Sequence, residues 1–123
     1  MEYLIDDNRP IFVQIAERME NDIIAGGLAE EAQVPSTNQF ASFYQINPAT
    51  AGKGVNLLVD QGVLYKKRGL GMYVAPGARA KLLEKHREQF FEQYVVPMLQ
   101  EAGKLGITTE QVIAMVQRRV KVP

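Results

Sequence analysis

The side chains best suited to recognising another molecule are concentrated between residues 45 and 74. Residues 47–59 contain no aspartate or glutamate, and their expected outward face carries short or hydrogen-bonding side chains with one cation. The residues of this face are Ala49, Thr50, Gly52, Lys53 and Asn56. Hydrogen-bonding groups and a cation, with no carboxylate nearby, suit contact with a polyanion. The alternative is an ordinary solvated helix face.

Charge is distributed unevenly along this chain, whose formal net charge is zero. Residues 1–46 hold two basic and eight acidic residues, whereas residues 47–87 hold eight basic and two acidic ones. Residues 88–123 hold four of each. A neutral chain that gathers positive charge in its central segment can meet a polyanion there. Taken alone, the pattern is better explained by chance clustering on a solvated surface.

Composition excludes several kinds of chemistry. There is no cysteine and a single histidine, His86, which excludes disulfides, thiol catalysis and zinc-finger sites. The pair Glu30 and Glu31 has no histidine nearby in the sequence to support acid–base catalysis. The Gly-Leu-Gly at 69–71 lacks the third glycine of a dinucleotide-binding loop. We therefore expect no enzyme, no cofactor and no metal site.

The sequence also bounds size and location. Its 123 residues suffice for one domain, or one small domain with an appendage. No apolar run approaches the roughly 18 residues that a membrane span requires. The first residues lack a basic region followed by an apolar core, so no signal peptide is expected. These features predict a cytoplasmic protein without membrane contact.

Three helices are predicted in the first half of the chain. The first begins at Pro10 and stops at the glycines 26–27, because apolar residues recur there every four positions. These residues are Ile11, Ile15, Met19 and Ile23. Ser36 is expected to cap a short second helix, and Asn47 a third that ends at Gly62. Each helix therefore has a start signal or a stop signal of its own.

A β-hairpin is predicted next, since "VLYKK" and "MYVA" are β-rich and "RGLG" allows a tight turn. Three helices followed by a hairpin is the order of a winged helix-turn-helix, a mainly α fold with a small β-hairpin. Small residues at 41, 51 and 54 would let the second and third helices cross closely. Gly54 is thus expected at that crossing.

The helix-turn-helix pattern gives the polar face a specific partner. The N-terminal residues of a recognition helix lie in the major groove of DNA, and the positive end of its dipole suits phosphate. A small residue such as Gly52 would allow close approach of the backbone. Double-stranded DNA is therefore the expected polyanion, with a solvated polar face as the alternative.

Residues 9–75 resemble the DNA-binding domain of the GntR family of bacterial transcription regulators. Four segments carry the resemblance in order: "RPIFVQIAERMENDIIAGGL", "VPSTNQFA", "INPATAGKGVNLLVDQGVL" and "YKKRGLGMYVA". They correspond to the first helix, the start of the second, the recognition helix and the wing. The resemblance implies a winged helix-turn-helix DNA-binding domain over residues 1–75.

The resemblance also implies roles for individual residues. Phosphates would be contacted at the start of the second helix by Ser36 and Thr37. Phosphates and base edges would be approached from the third helix by Asn47, Ala49, Thr50 and Lys53. The minor groove would be reached by a wing tip of Gly69 and Gly71, beside Lys67 and Arg68.

Two positions depart from the family pattern. Asn38 stands where most members carry an arginine that commonly contacts guanine. Asparagine pairs with adenine through two hydrogen bonds, so the usual operator core is not expected to carry over if Asn38 reaches a base. The acidic loop "AEEAQ" replaces the usual Pro-Gly turn, and no function is assigned to it.

Residues 76–123 are predicted to form a two-helix dimerisation tail, as in the YtrA-type subfamily. The first helix is long and interrupted by Pro97, which should kink it or loosen a turn. The second is capped by a Thr108–Gln111 capping box. The dimerisation residues are expected in one apolar stripe: Leu83, Phe90, Phe91, Tyr94, Val95, Met98 and Leu99. The stripe could instead pack on the first helix, but two helices cannot cover it, which favours a partner chain.

The sequence therefore predicts a homodimeric regulator, expected to be a repressor, that binds a palindromic operator. The contacts would come from the helix at 48–61 and the wing at 63–75. Forty-eight tail residues cannot enclose a large effector pocket, and the sequence identifies no small-molecule effector. The alternative is a winged-helix module for protein–protein interaction that does not bind specific DNA sequences.

Overall fold

The computed structural model describes residues 8–118; residues 1–7 and 119–123, where the two predicted domains begin and end, lie outside the described residues. The elements are α1 (Ile11–Ala25), α2 (Thr37–Tyr44), α3 (Pro48–Asp60), β1 (Leu64–Lys67), β2 (Gly71–Val74), α4 (Ala78–Phe90), a π-helical segment (Phe91–Val95), α5 (Val96–Lys104) and α6 (Thr109–Arg118). The predicted fold class, mainly α with a small β-hairpin, is confirmed. The chain divides into two compact units, and the boundary lies within α4, between Glu84 and Lys85.

In the first unit, α3 packs against both α1 and α2. Ile15, Met19 and Ile23 of α1 are fully buried, as their four-residue spacing predicts. Leu58 of α3 and Leu82 of α4 complete the largest part of this core. The buried apolar side chains of α1, α3 and α4 fix the position of α3. The face of α3 that points away from this core is available for contacts with another molecule.

Gly54 lies against α1 rather than α2. A Cβ atom added at Gly54 would stand 2.8 Å from the carbonyl oxygen of Phe12 and 3.2 Å from Cβ of Ile15. The prediction that Gly54 marks the α2–α3 crossing is therefore wrong. Gly52 occupies that side instead, with its Cβ position 3.7 Å from Cγ2 of Thr37. Residues two apart on a helix point in nearly opposite directions, which explains why Gly54 faces α1 while Gly52 faces α2.

The hairpin is antiparallel, with pairs from Leu64 and Val74 to Lys67 and Gly71, so three residues form its turn. A segment before α2 extends the sheet: the N–H of Val34 donates to the carbonyl of Met72 at 2.9 Å. Leu64 and Val74 are buried on the core side. Alternation along the strands leaves the outer face of the hairpin to Tyr65, Lys67, Gly71 and Tyr73.

In the second unit, the long helix predicted from the sequence loosens next to Pro97. Residues 91–95 are π-helical, and the N–H of Val96 donates to the carbonyl of Phe91, five residues earlier. A proline ring collides with the carbonyl four residues before it in a regular α-helix, and the wider turn relieves that collision. The sequence prediction of a loosened turn at Pro97 is confirmed.

The predicted capping box at the start of α6 is also present. The N–H of Gln111 donates to Oγ1 of Thr108 at 3.1 Å, and the N–H of Thr108 donates to Oε1 of Gln111 at 2.8 Å. Ala102 and Val112 are buried where α5 and α6 meet. Between residues 8 and 118, no helix combines the length and the apolar character needed to cross a membrane.

Candidate nucleic-acid interface

The start of α2 is organised by a capping box. The N–H of Gln39 donates to Oγ of Ser36 at 3.1 Å, and the N–H of Ser36 donates to Oε1 of Gln39 at 2.7 Å. The Ser36 hydroxyl, which accepts here, keeps its own proton for another acceptor. Asn38 follows on the exposed side, and no described residue bonds its side chain. Thr37 is half-buried, with its methyl group next to Gly52.

The start of α3 is fixed by Asn47, whose Oδ1 accepts the N–H of Ala49 at 2.7 Å. Ala49 is exposed and Thr50 is half-buried, so both lie at the helix end that carries the positive dipole. The helix ends at Asp60, one residue before the predicted end. Its first turns thus present short side chains, and no acidic residue precedes Asp60 in the helix.

Lys53 is exposed, but its ammonium is turned back toward α1. The Lys53 Nζ atom lies 4.7 Å from the centroid of the Phe12 ring. A cation over an aromatic face is stabilised by about 0.5–1 kcal/mol at an exposed site. Sequence reasoning gave no sign of this contact, because Phe12 and Lys53 belong to different helices.

Two of the basic residues of the wing, Lys67 and Arg68, have different surroundings. Lys67 is half-buried, with its Nζ atom 4.2 Å from the centroid of the Tyr73 ring and 5.9 Å from that of Tyr65. The Tyr65 hydroxyl donates to Oε1 of Glu31 at 3.0 Å. Desolvation, together with this bond, raises the pKa of the Tyr65 hydroxyl above its ordinary value. Arg68, by contrast, is exposed and meets no described partner.

The tip of the wing is braced by Gln33, a residue that sequence reasoning missed. The Gln33 Nε2 atom donates to the carbonyl of Leu70 at 2.7 Å. A Cβ atom at Gly71, where φ is 118°, would stand 2.7 Å from that nitrogen. The backbone angle favours glycine at position 71, and a Cβ atom there would displace the Gln33 amide from the wing tip. Gly69 has φ of 77° and open space around it.

An open groove connects the wing with the start of α2. Its lining includes Ser36, Gln39, Gly71 and Met72. The fold thus brings the start of α2 and the wing tip together, and the contact of Gly52 with Thr37 places the start of α3 beside them. The residues predicted to bind DNA come from three elements that adjoin one another in the first unit.

The acidic loop that departs from the family pattern has a structural role. Oε1 of Glu30 accepts the N–H of Gly77 at 2.9 Å, and Oε2 accepts the N–H of Arg79 at 3.3 Å, at the start of α4. Glu31 has φ of 70°, the left-handed conformation that a glycine would adopt easily. Among residues 8–118, no group of three or more histidine, aspartate or glutamate residues is placed to hold a metal ion.

Most of the predicted dimerisation residues are exposed in this chain. Phe90 and Phe91 each expose 56% of their surface and Tyr94 exposes 64%. Met98 and Leu99 are also exposed, whereas Val95 is half-buried. Leu83 is half-buried and belongs to the first unit. Further exposed apolar side chains in the second unit are Leu105, Ile113, Met115 and Val116.

The sequence and the structure of this chain are similar to those of several known proteins. No family model matches the sequence. A crystal structure described as a transcriptional regulator of the GntR family from Bacteroides thetaiotaomicron is 33% identical, with a TM-score of 0.68; the match covers 87% of this chain and 93% of that one. The HTH-type transcriptional repressor YtrA of Bacillus subtilis (strain 168) is 26% identical over 102 residues, which cover 83% of this chain and 78% of YtrA.

A third match is the DNA-binding domain of AraR, in a crystal structure with operator ORX1. It is 25% identical with a TM-score of 0.53, and the match covers 61% of this chain and 92% of that domain. The first two relatives are named as transcription proteins, and none of the three is named as an enzyme. Because the Bacteroides regulator is 33% identical over nearly the full length of both chains, this chain belongs to the GntR family of transcriptional regulators.

Proposed function

We propose that this chain is a homodimeric repressor of the YtrA type, which binds a palindromic DNA operator through α3 and the wing. The observation that carries the proposal is the meeting of three elements, the starts of α2 and α3 and the wing tip, in the first unit. Similarity to the AraR domain, whose crystal structure contains an operator, supports DNA as the partner. Similarity to the repressor YtrA supports the subfamily and the direction of regulation.

Phosphate contacts would come from helix starts. The exposed Ser36 hydroxyl and the first N–H groups of α2 would meet one phosphate, and the N-terminus of α3 another. Asn38 is free of described partners and can form the two hydrogen bonds that asparagine makes with adenine. This assigns an adenine to the operator position at which an arginine-bearing relative would prefer guanine.

Base readout on α3 would rest on Thr50 and Lys53. The contact between Lys53 and Phe12 contributes about 0.5–1 kcal/mol at an exposed site. A good contact between lysine and guanine contributes about 1–3 kcal/mol of discrimination. The second quantity exceeds the first, so Lys53 can leave the Phe12 ring when a guanine is within reach.

A homodimer would place two such domains on one operator. The exposed apolar side chains of the second unit, including Phe90, Phe91 and Tyr94, are the surface on which a second copy would pack. Two identical domains related by a two-fold axis read a palindrome. No small-molecule effector is assigned.

The test combines selection and salt dependence. Duplexes retained by the purified protein from a random DNA pool should converge on an inverted repeat. Affinity for the selected duplex should fall steeply with salt, because phosphate contacts release counterions. A pool that yields no motif, together with no shift of any duplex at low salt, would contradict the proposal and favour the protein-interaction module.

A further inference from the structure

The wing tip carries a large apolar side chain in water. Leu70 lies in the three-residue turn of the hairpin, between Gly69 and Gly71, and exposes 63% of its surface. Exposed leucines are common on protein surfaces and carry no function by themselves. What distinguishes Leu70 is how its backbone is held and what lies next to it.

The backbone of Leu70 is bonded on both sides. Its N–H donates to the carbonyl of Lys67 at 2.8 Å, and its carbonyl accepts the Gln33 amide at 2.7 Å. The second bond crosses from the segment before α2, so it ties the tip to the body of the first unit. A turn held in this way loses little further backbone freedom on binding, which favours the use of its side chain as a contact.

The neighbours of Leu70 indicate an anionic partner. Arg68 is exposed at the same turn, and Lys66 is exposed on the adjoining strand. Neither meets an acidic residue among those described. The two flanking glycines add no bulk around the leucine side chain. An apolar side chain in a wing that also exposes cations suits a nucleic-acid groove, whose apolar sugar walls lie between two rows of phosphates.

We propose that Leu70 is an apolar contact to the DNA minor groove and makes the protein prefer A·T over G·C pairs where the wing binds. This inference rests on the proposed function. In the minor groove, G·C differs from A·T by the guanine N2 amino group, a hydrogen-bond donor. Leucine cannot accept that bond, so a G·C pair would leave the amino group without its water and without a partner.

The test uses the duplex obtained by selection, with each flanking A·T pair replaced by inosine·cytosine or by guanine·cytosine. Inosine lacks the 2-amino group, so I·C resembles A·T in the minor groove and G·C in the major groove. Wild-type protein should bind the A·T and I·C duplexes with equal affinity. It should bind a duplex in which the contacted pair is G·C about tenfold more weakly. Leu70→Gln should bind the A·T duplex about tenfold more weakly and lose the distinction.

Two further variants complete the design. Phe43→Gln removes an apolar side chain of similar exposure, 66%, from α2 and should leave both affinity and preference unchanged. Leu70→Ala removes most of the apolar contact without adding a charge or a hydrogen-bonding group, so it should bind the A·T duplex more weakly and lose most of the A·T preference. Folding of each variant is verified by its thermal unfolding midpoint.

Failure of this inference differs from failure of the proposed function. If wild-type protein selects a motif and Leu70→Gln keeps its affinity and its A·T preference, the assignment of Leu70 is wrong. The same holds if Leu70→Ala keeps the full preference, or if wild-type protein discriminates I·C from A·T as strongly as G·C. If wild-type protein selects no motif, the proposed function itself is wrong, and the inference about Leu70 fails with it.

Discussion

Glycines 52 and 54 show how much depends on the direction in which one residue points. Both lie in the same helix and both cost helix stability, by about 1 kcal/mol each relative to alanine. Only Gly54 has a packing reason for this cost, because the carbonyl of Phe12 occupies the space where its Cβ would be. Gly52 has room for a methyl group in ordinary contact with Thr37.

Alanine substitutions should therefore have opposite effects at these two positions. Gly54→Ala should lower the free energy of unfolding by ~1–3 kcal/mol, since backbone atoms must move to admit the methyl group. Gly52→Ala should raise it by up to ~1 kcal/mol through helix propensity. Chemical denaturation of the two variants checks this. Equal stability of Gly54→Ala and wild type would mean that α1 and α3 do not meet at this point.

Lys53 provides the residue-scale prediction for binding. Lys53→Ala should weaken the selected operator by ~1–3 kcal/mol and relax preference at a single position. Binding of random duplex should change far less, which separates base readout from general attraction. Phe12→Leu is the matched control, since it removes the ring beneath the ammonium and keeps the lysine. Unchanged operator affinity for Lys53→Ala would rule out Lys53 as a reader of bases.

The caps of α2 and α3 could be predicted because each joins residues two or three apart. The contacts of Gln33 with Leu70 and of Glu31 with Tyr65 span 37 and 34 residues, so no local pattern contains them. The placement of Gly54 failed for the same reason: small residues signal close packing but do not say against which helix. Local sequence patterns were enough to predict the helices and strands. The contacts between these elements could be identified only from the folded structure.

At the scale of elements, the wing depends on more than its turn. Its outer face pairs Tyr65 with Tyr73, with ring centroids 6.1 Å apart, and Lys67 lies against both rings. Lys67 thus contributes to the hairpin itself, whereas Arg68 extends from it without a described partner. The sequence alone does not distinguish these two residues, because it does not show which of two adjacent basic side chains packs against the hairpin.

Substitution of Lys67 and of Arg68 should separate these contributions. Arg68→Ala should weaken all duplexes alike and reduce the salt slope by about one unit, with unchanged thermal stability. Lys67→Ala should also weaken all duplexes, and in addition lower stability by up to ~1 kcal/mol through loss of the cation–π contact. Affinity measured over a range of salt and thermal unfolding distinguish them. Loss of affinity for one sequence only, in Arg68→Ala, would contradict this assignment.

The π-helical segment has a consequence for the apolar stripe of the second unit. In a regular α-helix each residue turns about 100°, so residues four apart drift by about 40° at every step. A wider turn reduces the angle per residue and offsets part of that drift. Phe90, Tyr94 and Met98 thereby remain closer to one face than a regular helix would allow. Pro97, which disturbs the helix, also helps to keep the stripe continuous.

At the scale of the whole molecule, positive charge and apolar surface lie in different parts of the chain. The basic segment, residues 47–87, falls almost entirely within the first unit, and the exposed aromatic stripe lies in the second. Because net charge is zero, attraction to DNA must come from the local field of that segment. This separation assigns binding to one unit and the proposed assembly to the other.

The last prediction tests whether the stripe joins two copies. A single winged helix contacts one half-site, and linking two makes the second contact intramolecular, which raises affinity by ~10²–10⁴-fold without new contacts. Phe91→Asp would place an unpaired carboxylate in the apolar seam of each subunit, a costly burial. Since Phe91 exposes 56% of its surface in the single chain, the variant should still fold as a monomer.

Sedimentation and operator affinity together check this prediction. Phe91→Asp should sediment as a monomer and bind random duplex weakly. Its affinity for the operator should fall by at least ~10²-fold, the lower end of the gain expected from linking two domains. The matched control is Phe43→Asp, which charges a similarly exposed aromatic residue of α2 and should stay dimeric. A Phe91→Asp protein that remains dimeric with full operator affinity would place the seam elsewhere, and the exposed group of Ile113, Met115 and Val116 on α6 would then be the next surface to charge.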